Sequence, residues 1–164
     1  MDATYPHVVN HIAIAVPDID AGIKWYREVL GFRLVNGPVE LSRDADPRGQ
    51  LRDVLGPYFR KVRIAHLASG NNVGFELFQS IEPPFERREL AIEYWKSGLS
   101  HFCVTDPNIE TLAAKVVASG GKQLSKIWID RPPSDDIKMV YCQDPFGTLF
   151  EIYTHSYEVF HSWR

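Results

Sequence analysis

The chain copies itself. Residues 11–20, His-Ile-Ala-Ile-Ala-Val-Pro-Asp-Ile-Asp, are matched with changes by residues 101–110, His-Phe-Cys-Val-Thr-Asp-Pro-Asn-Ile-Glu. At this offset of 90 residues (His11 to His101), Pro17 falls on Pro107, Asp18 on Asn108, Ile19 on Ile109 and Asp20 on Glu110. Gly31 falls on Gly121 and Leu34 on Leu124. A second match, Phe75-Glu76-Leu77 against Phe150-Glu151-Ile152, has an offset of 75 residues (Glu76 to Glu151). A repeat of this length means two copies of one supersecondary unit. Each copy opens on a strand His and closes on a strand Glu. The smaller second offset assigns about 15 extra residues to the first copy, and residues 36–60, rich in Pro, Gly and charge, are their place.

Each copy reads as strand, helix and three strands. Val8–Val16 is β-branched and apolar, with His11, Ala13 and Ala15 on one face and Ile12, Ile14 and Val16 on the other. A helix follows to Leu30, capped by Asp18 or Asp20 and ended by Gly31. Phe32–Val35 is a second strand, and a short helix over Pro47–Leu55 is expected inside the extra segment. Phe59–Leu67 and Val73–Phe78 form a hairpin around Ser69–Asn72, with Gly74, Glu76 and Phe78 on one face. Residues 80–99 link the copies, with helical turns expected over Arg87–Trp95. In the second copy His101–Thr105 is a strand that places His101, Cys103 and Thr105 together. Asp106-Pro107 opens a helix reaching Ser119, with Pro107 at its first position. Gln123–Ile129, Ile137–Gln143 and Thr148–Thr154 are strands, Arg131–Asp136 is a loop, and Asp144–Gly147 is a turn. Leu149, Glu151 and Tyr153 share a face. The expected fold class is α+β: two βαβββ modules forming a curved, mostly antiparallel sheet cup.

Composition bounds the partners. The 164 residues suffice for one domain with a real core, and a formal net charge of −3 with no basic stripe argues against nucleic acid. No apolar run reaches the roughly 18 residues of a membrane helix. The N-terminus lacks a basic region followed by an apolar one, so no secretory signal is read and a cytoplasmic location is expected. Cys103 and Cys142 read as reduced thiols.

The candidate site follows from the repeat. One strand His is ordinarily a hydrogen-bonded core or surface residue, but a carboxylate flanked by Phe and Leu has to be paired or bound to something. Two His and two Glu at equivalent positions, His11, Glu76, His101 and Glu151, form a donor set for one divalent metal ion. His66, with no counterpart expected in the second copy, is a rival ligand, although a structural role is the simpler one. His7 and His155 suit surface roles. Arg60, Lys61 and Arg63 could hold an anionic group, but a solvated strand face accounts for them.

These motifs, together with Trp-Tyr-Arg-Glu-Val-Leu-Gly-Phe at 25–32 and Asp-Pro-Phe-Gly-Thr-Leu-Phe-Glu-Ile at 144–152, resemble the vicinal oxygen chelate superfamily. That family includes glyoxalase I, methylmalonyl-CoA epimerase, extradiol dioxygenases, and fosfomycin and bleomycin resistance proteins. The resemblance implies a single glyoxalase-like domain over residues 1–164, with module one at about 7–79, a linker at 80–99, module two at 100–154 and a tail at 155–164. It places the family's ligands on His11, Glu76, His101 and Glu151, a set most similar to that of glyoxalase I. One divalent ion is expected (Ni, Zn, Co, Mn or Fe), with a small-molecule substrate carrying adjacent oxygens. The resemblance also implies a homodimer, and the aromatic tail Tyr157–Trp163 suggests one too, since it would be costly to leave as an exposed patch.

The leading expectation is a metal-dependent lyase, isomerase or epimerase of the lactoylglutathione lyase-like type. It would move a proton next to a carbonyl through a metal-bound enediolate, with Glu151 and Glu76 as catalytic carboxylates and the larger role at Glu151. The alternative is an Fe(II) extradiol-type dioxygenase using His11, His101 and Glu151. A metal-free binding or resistance protein is the third reading, and it leaves the four polar residues without a purpose.

Overall fold

The computed structural model describes residues 6–89, 92–130 and 136–162. The chain divides into two compact units, Met1–Glu86 and Arg87–Arg164. Both are mixed α+β, each with its own sheet.

In the first unit β1 (His11–Ala15) leads into α1 (Ile19–Leu30), β2 (Arg33–Ser42), a 3-10 turn (Arg43–Ala45), α2 (Gln50–Leu55), β3 (Lys61–Ala68) and β4 (Gly74–Glu82). The sheet order is β1-β4-β3-β2, with β1 parallel to β4 and the other pairs antiparallel. Asp18 caps α1, accepting from the backbone N–H groups of Asp20 and Ala21, and Gly31 ends it in the left-handed region at φ 70°. Helix α1 buries Ile19, Ile23 and Tyr26. Tyr26 stacks on Phe32, and Phe32 meets Phe75 at 4.6 Å between ring centroids. Ile14 and Val16 are buried while His11, Ala13 and Ala15 are not, which is the alternation a half-buried strand requires.

The second unit repeats the order: β5 (Phe102–Thr105), α3 (Ile109–Ala118), β6 (Lys122–Gln123), β7 (Trp128–Ile129), β8 (Lys138–Gln143), β9 (Leu149–Tyr153) and α4 (Tyr157–His161). The order is β5-β9-β8-β6, with β7 also on β8, and β5 lies parallel to β9. Ala13 opposes Glu76 in the first unit and Cys103 opposes Glu151 in the second, so both sequence offsets are carried into the register.

Several expectations are corrected. Strand β2 runs to Ser42, not Val35, because Val39, Glu40 and Leu41 still pair with β3 beyond an irregularity at Asn36. The extra segment is therefore part strand, and its helix starts at Gln50. His101 precedes β5 by one residue. Helix α3 is capped at Asn108, so Pro107 lies outside it, while Asp106 accepts from the Asn108 N–H in a local turn. The strand expected over Gln123–Ile129 is two short pieces. Residues 87–89 and 92–95 are not helical, and 90–91 lie outside the described residues. Of the expected loop at 131–136 only Asp136 is described, and Trp163 of the tail is also outside. Among the described residues no helix is long and apolar enough to cross a membrane.

The short helices close one end of each polar face. Leu51 and Leu55 of α2 pack with Phe59, Val62, Ile64 and Phe78. Phe160 of α4 packs with Ile137, Met139 and Tyr153, its ring 3.9 Å from that of Tyr153. Val62, Ile64 and Phe78 become Ile137, Met139 and Tyr153 at the offset of 75 (Phe78 to Tyr153). The insertion and the tail thus do equivalent work, and the tail's Phe160 is used within the chain.

The β8–β9 turn fixes Glu151. Asp144, only 2% exposed, accepts from the N–H groups of Phe146, Gly147 and Thr148 through Oδ1, at 3.0, 2.7 and 2.7 Å. Removing it strands buried donors, so Asp144→Ala is expected to cost about 1.5–3 kcal/mol. A urea midpoint within error of wild type would contradict this.

Candidate metal centre

The first unit's polar face is built on the register of β1, β4 and β3. His66 opposes Glu76 across β3 and β4, and His11 reaches the same carboxylate from β1. His11 Nε2 lies 3.5 Å from Glu76 Oε2, and His66 Nδ1 lies 3.3 Å from Oε1. The two imidazoles therefore face different carboxylate oxygens. Gly74 makes room for this, since a Cβ there would stand 2.9 Å from His11 Cβ. An open cavity of about 340 Å³ fronts His11, His66, Gly74 and Glu76, with Asn10 and Arg33 also on its wall.

In the second unit His101 Nε2 lies 3.0 Å from Glu151 Oε2. The Glu151 side chain is 5% exposed, against 26% for Glu76. The Tyr141 phenol donates to Glu151 and is also hydrogen-bonded to Tyr94. Burial, followed by those two hydrogen bonds, pushes the Tyr141 phenol well up from its ordinary value. Burial and the adjacent Glu151 charge raise Tyr153 as well. The rings of Tyr94 and Tyr141 both meet His101 edge-on, at 6.0 and 5.5 Å. Cys103 sits beside Glu151 in register, and desolvation plus that charge push its thiol up to about 12. Although its side chain reaches solvent, it stays protonated at neutral pH and is a poor nucleophile.

His11 and His101 are each held by the residue before them. His11 Nδ1 contacts Asn10 Oδ1 at 2.8 Å, and His101 Nδ1 contacts Ser100 Oγ at 3.0 Å. Asn10 and Ser100 are themselves related by the offset of 90 (Asn10 to Ser100). Asn10 Oδ1 can only accept, so His11 donates from Nδ1 and leaves Nε2 as the nitrogen that faces the Glu76 carboxylate. Two electron-rich atoms facing each other need a cation between them, either a proton or a metal. Donors sharing an ion at about 2.1 Å sit roughly 3.0–3.4 Å apart. The His–Glu separations of 3.5 and 3.0 Å lie near that range and equally near that of a protonated His–Glu ion pair, and the donor types are ones a divalent ion takes. Among the described residues no three His, Cys, Asp or Glu side chains converge on a single point as they stand. The first unit sets His11 and His66 on Glu76, and the second sets His101 on Glu151.

Sequence reasoning missed Tyr141, Tyr94, Asn10, Ser100 and Arg33. It also gave His66 no counterpart, and this is corrected: Tyr141 opposes Glu151 as His66 opposes Glu76. The offset of 75 that relates the two Glu residues carries His66 onto Tyr141. The match was hidden because the residue type changes while the position does not.

Solved structures share this fold. A glyoxalase family protein from Bacillus cereus aligns at TM-score 0.72 and 18% identity, over 93% of this chain and 97% of that one. A fosfomycin resistance protein from Listeria monocytogenes, complexed with Mn(II) and sulfate, aligns at TM-score 0.57 and 10% identity, over 94% and 97%. A variant of glyoxalase I from Zea mays aligns at 0.59 and 20%, over 90% of this chain and 44% of that one. By sequence, the chain is 26% identical over 147 residues to a 2-epi-5-epi-valiolone epimerase from an Actinomyces species, covering 88% of this chain and 77% of the epimerase. The profile of the Glyoxalase/Bleomycin resistance protein/Dioxygenase superfamily matches residues 8–152, and the chain belongs to that superfamily.

Proposed function

We propose that the protein is a metal-dependent enzyme that moves a proton on a carbon next to a carbonyl, an isomerase or epimerase in outcome, with His11, Glu76, His101 and Glu151 holding one divalent ion. The observation that carries this reading is the repeated His–Glu pair, each His turning Nε2 to its Glu and anchored through Nδ1 by the preceding residue. The epimerase name of a relative at 26% identity supports the same class of reaction. When bound, the ion would supply Lewis acidity to two adjacent substrate oxygens. The chain's own groups supply the rest.

The two carboxylates are unequally placed. Glu151 is enclosed and tied to His101 and Tyr141, an arrangement that suits a fixed ligand. Glu76 borders the open cavity. A base must reach the substrate carbon and afterwards release its proton. This favours Glu76 as the group that takes up the proton, in place of the Glu151 preference drawn from sequence. An Fe(II) dioxygenase with His11, His101 and Glu151 leaves the Glu76 contacts unused and ranks second. The homodimer belongs to this proposal too, supported by the exposed Val8 and Val9 ahead of edge strand β1. Light scattering at micromolar concentration is expected to show a dimer, and a single monomeric species would count against it.

Replacing either Glu by Gln separates binding from proton transfer. Glu76→Gln is expected to keep the ion and to lose about 10²–10⁴-fold in deuterium exchange at the substrate's α-carbon. Glu151→Gln is expected to weaken ion binding first. Full exchange in Glu76→Gln with the ion retained would overturn the assignment, and oxygen uptake on catechols would favour the dioxygenase. Tyr141→Phe removes a donor from Glu151, and a loss of about 10–100-fold in ion affinity is expected from a partner of this type. Unchanged affinity in a metal titration would show that the phenol does not position Glu151.

A further inference from the structure

The basic residues conspicuous in the sequence are neutralised. Arg60 pairs with Glu82, Lys61 with Glu40 and Arg63 with Asp20. Arg33 differs, since among the described residues it has no acidic partner, and it is the one guanidinium on the wall of the cavity that fronts His11 and Glu76.

The register explains how it comes to be there. Arg33 on β2 opposes Ala68 on β3, Ala68 opposes Gly74 on β4, and Gly74 opposes His11 on β1. Residues directly opposite across strands share a face, so His11, Gly74, Ala68 and Arg33 form one row across the sheet. The row spans three strand spacings, about 14 Å. Its two middle members are the smallest available, leaving a trough with an imidazole and carboxylate at one end and a guanidinium at the other. The second unit lacks this trough. At the offset of 75, Ala68 and Gly74 become Gln143 and Leu149, which are bulky.

We infer that Arg33 is a specificity-determining residue, binding a carboxylate or phosphate at the far end of a substrate whose adjacent oxygens lie at the His11–Glu76 end. A guanidinium matches either group with two parallel N–H donors. The inference rests on the proposed metal function for the location of the reacting oxygens. It names the substrate class as a small hydroxy or keto compound with a second, anionic terminus.

The test uses non-reacting probes and wild-type protein loaded with Mn(II), followed by calorimetry. 2-Hydroxyglutarate and 2-hydroxypentanoate share a chelating end and differ in a terminal carboxylate against methyl. 3-Phosphoglycerate and glycerate make the same comparison for phosphate. At least one dianion is expected to bind about tenfold or more tightly than its monoanion. Arg33→Gln is expected to erase the difference, leave monoanion binding unchanged, and let Arg33→Lys recover part of it. Monoanion binding in the variant also reports that its site is intact. Equal binding of both members of both pairs, or no binding of any, overturns the inference. If the protein takes up no Mn(II), the metal reading fails separately, and Arg33-dependent binding of a dianion to metal-free protein would still uphold the role of Arg33.

Discussion

A carboxylate on an otherwise apolar strand has to be compensated, and much of this structure can be understood from how Glu76 and Glu151 are met. Burying a charge without a partner is among the most expensive things a fold can do. Glu151 is enclosed by His101, Tyr141 and Tyr153, on a strand whose approach is set by the Asp144 turn. Glu76 has an imidazole on each oxygen and solvent in front. In both units one His that meets the carboxylate has its other nitrogen held by the residue before it, His11 by Asn10 and His101 by Ser100. Such an arrangement sets imidazole and carboxylate donors side by side on each sheet, the donor types a metal centre uses.

The sheets support this arrangement in two ways. At one end of each polar face, a short helix and an apolar cluster exclude water: α2 over Val62 and Ile64, α4 over Ile137 and Tyr153. At the other end the first unit is left open by Gly74 and Ala68. Which positions stay small therefore decides where the polar face is open. Gly74 is the clearest case, because any side chain there meets His11 directly.

The repeat made the frame legible. The equivalence of His11 with His101 and of Glu76 with Glu151 could be read from two offsets, and the Gly31 cap from local turn chemistry, whereas the choice of Asp18 over Asp20 as N-cap and the parallel pairing of β1 with β4 and β5 with β9 came only from the structure. Tyr141 was not legible, since a phenol and an imidazole do not look alike in sequence even when register makes them equivalent. Nor was the length of β2, whose course past Asn36 depends on pairing with β3 more than on its own residues. Arg33 was invisible for a related reason: nothing local distinguishes an Arg with an acidic partner from one without. The basic cluster at Arg60–Arg63 drew notice for its charge density, which tertiary ion pairs then cancel.

The central claim is that the two His–Glu pairs serve one ion together. The most direct measurement is the metal stoichiometry of the purified protein, titrated with Mn(II) in wild type, His11→Ala and His101→Ala. The account predicts one ion per chain in the wild type and loss of tight binding in both variants. Two ions per chain, or undiminished binding after removal of either His, would contradict it.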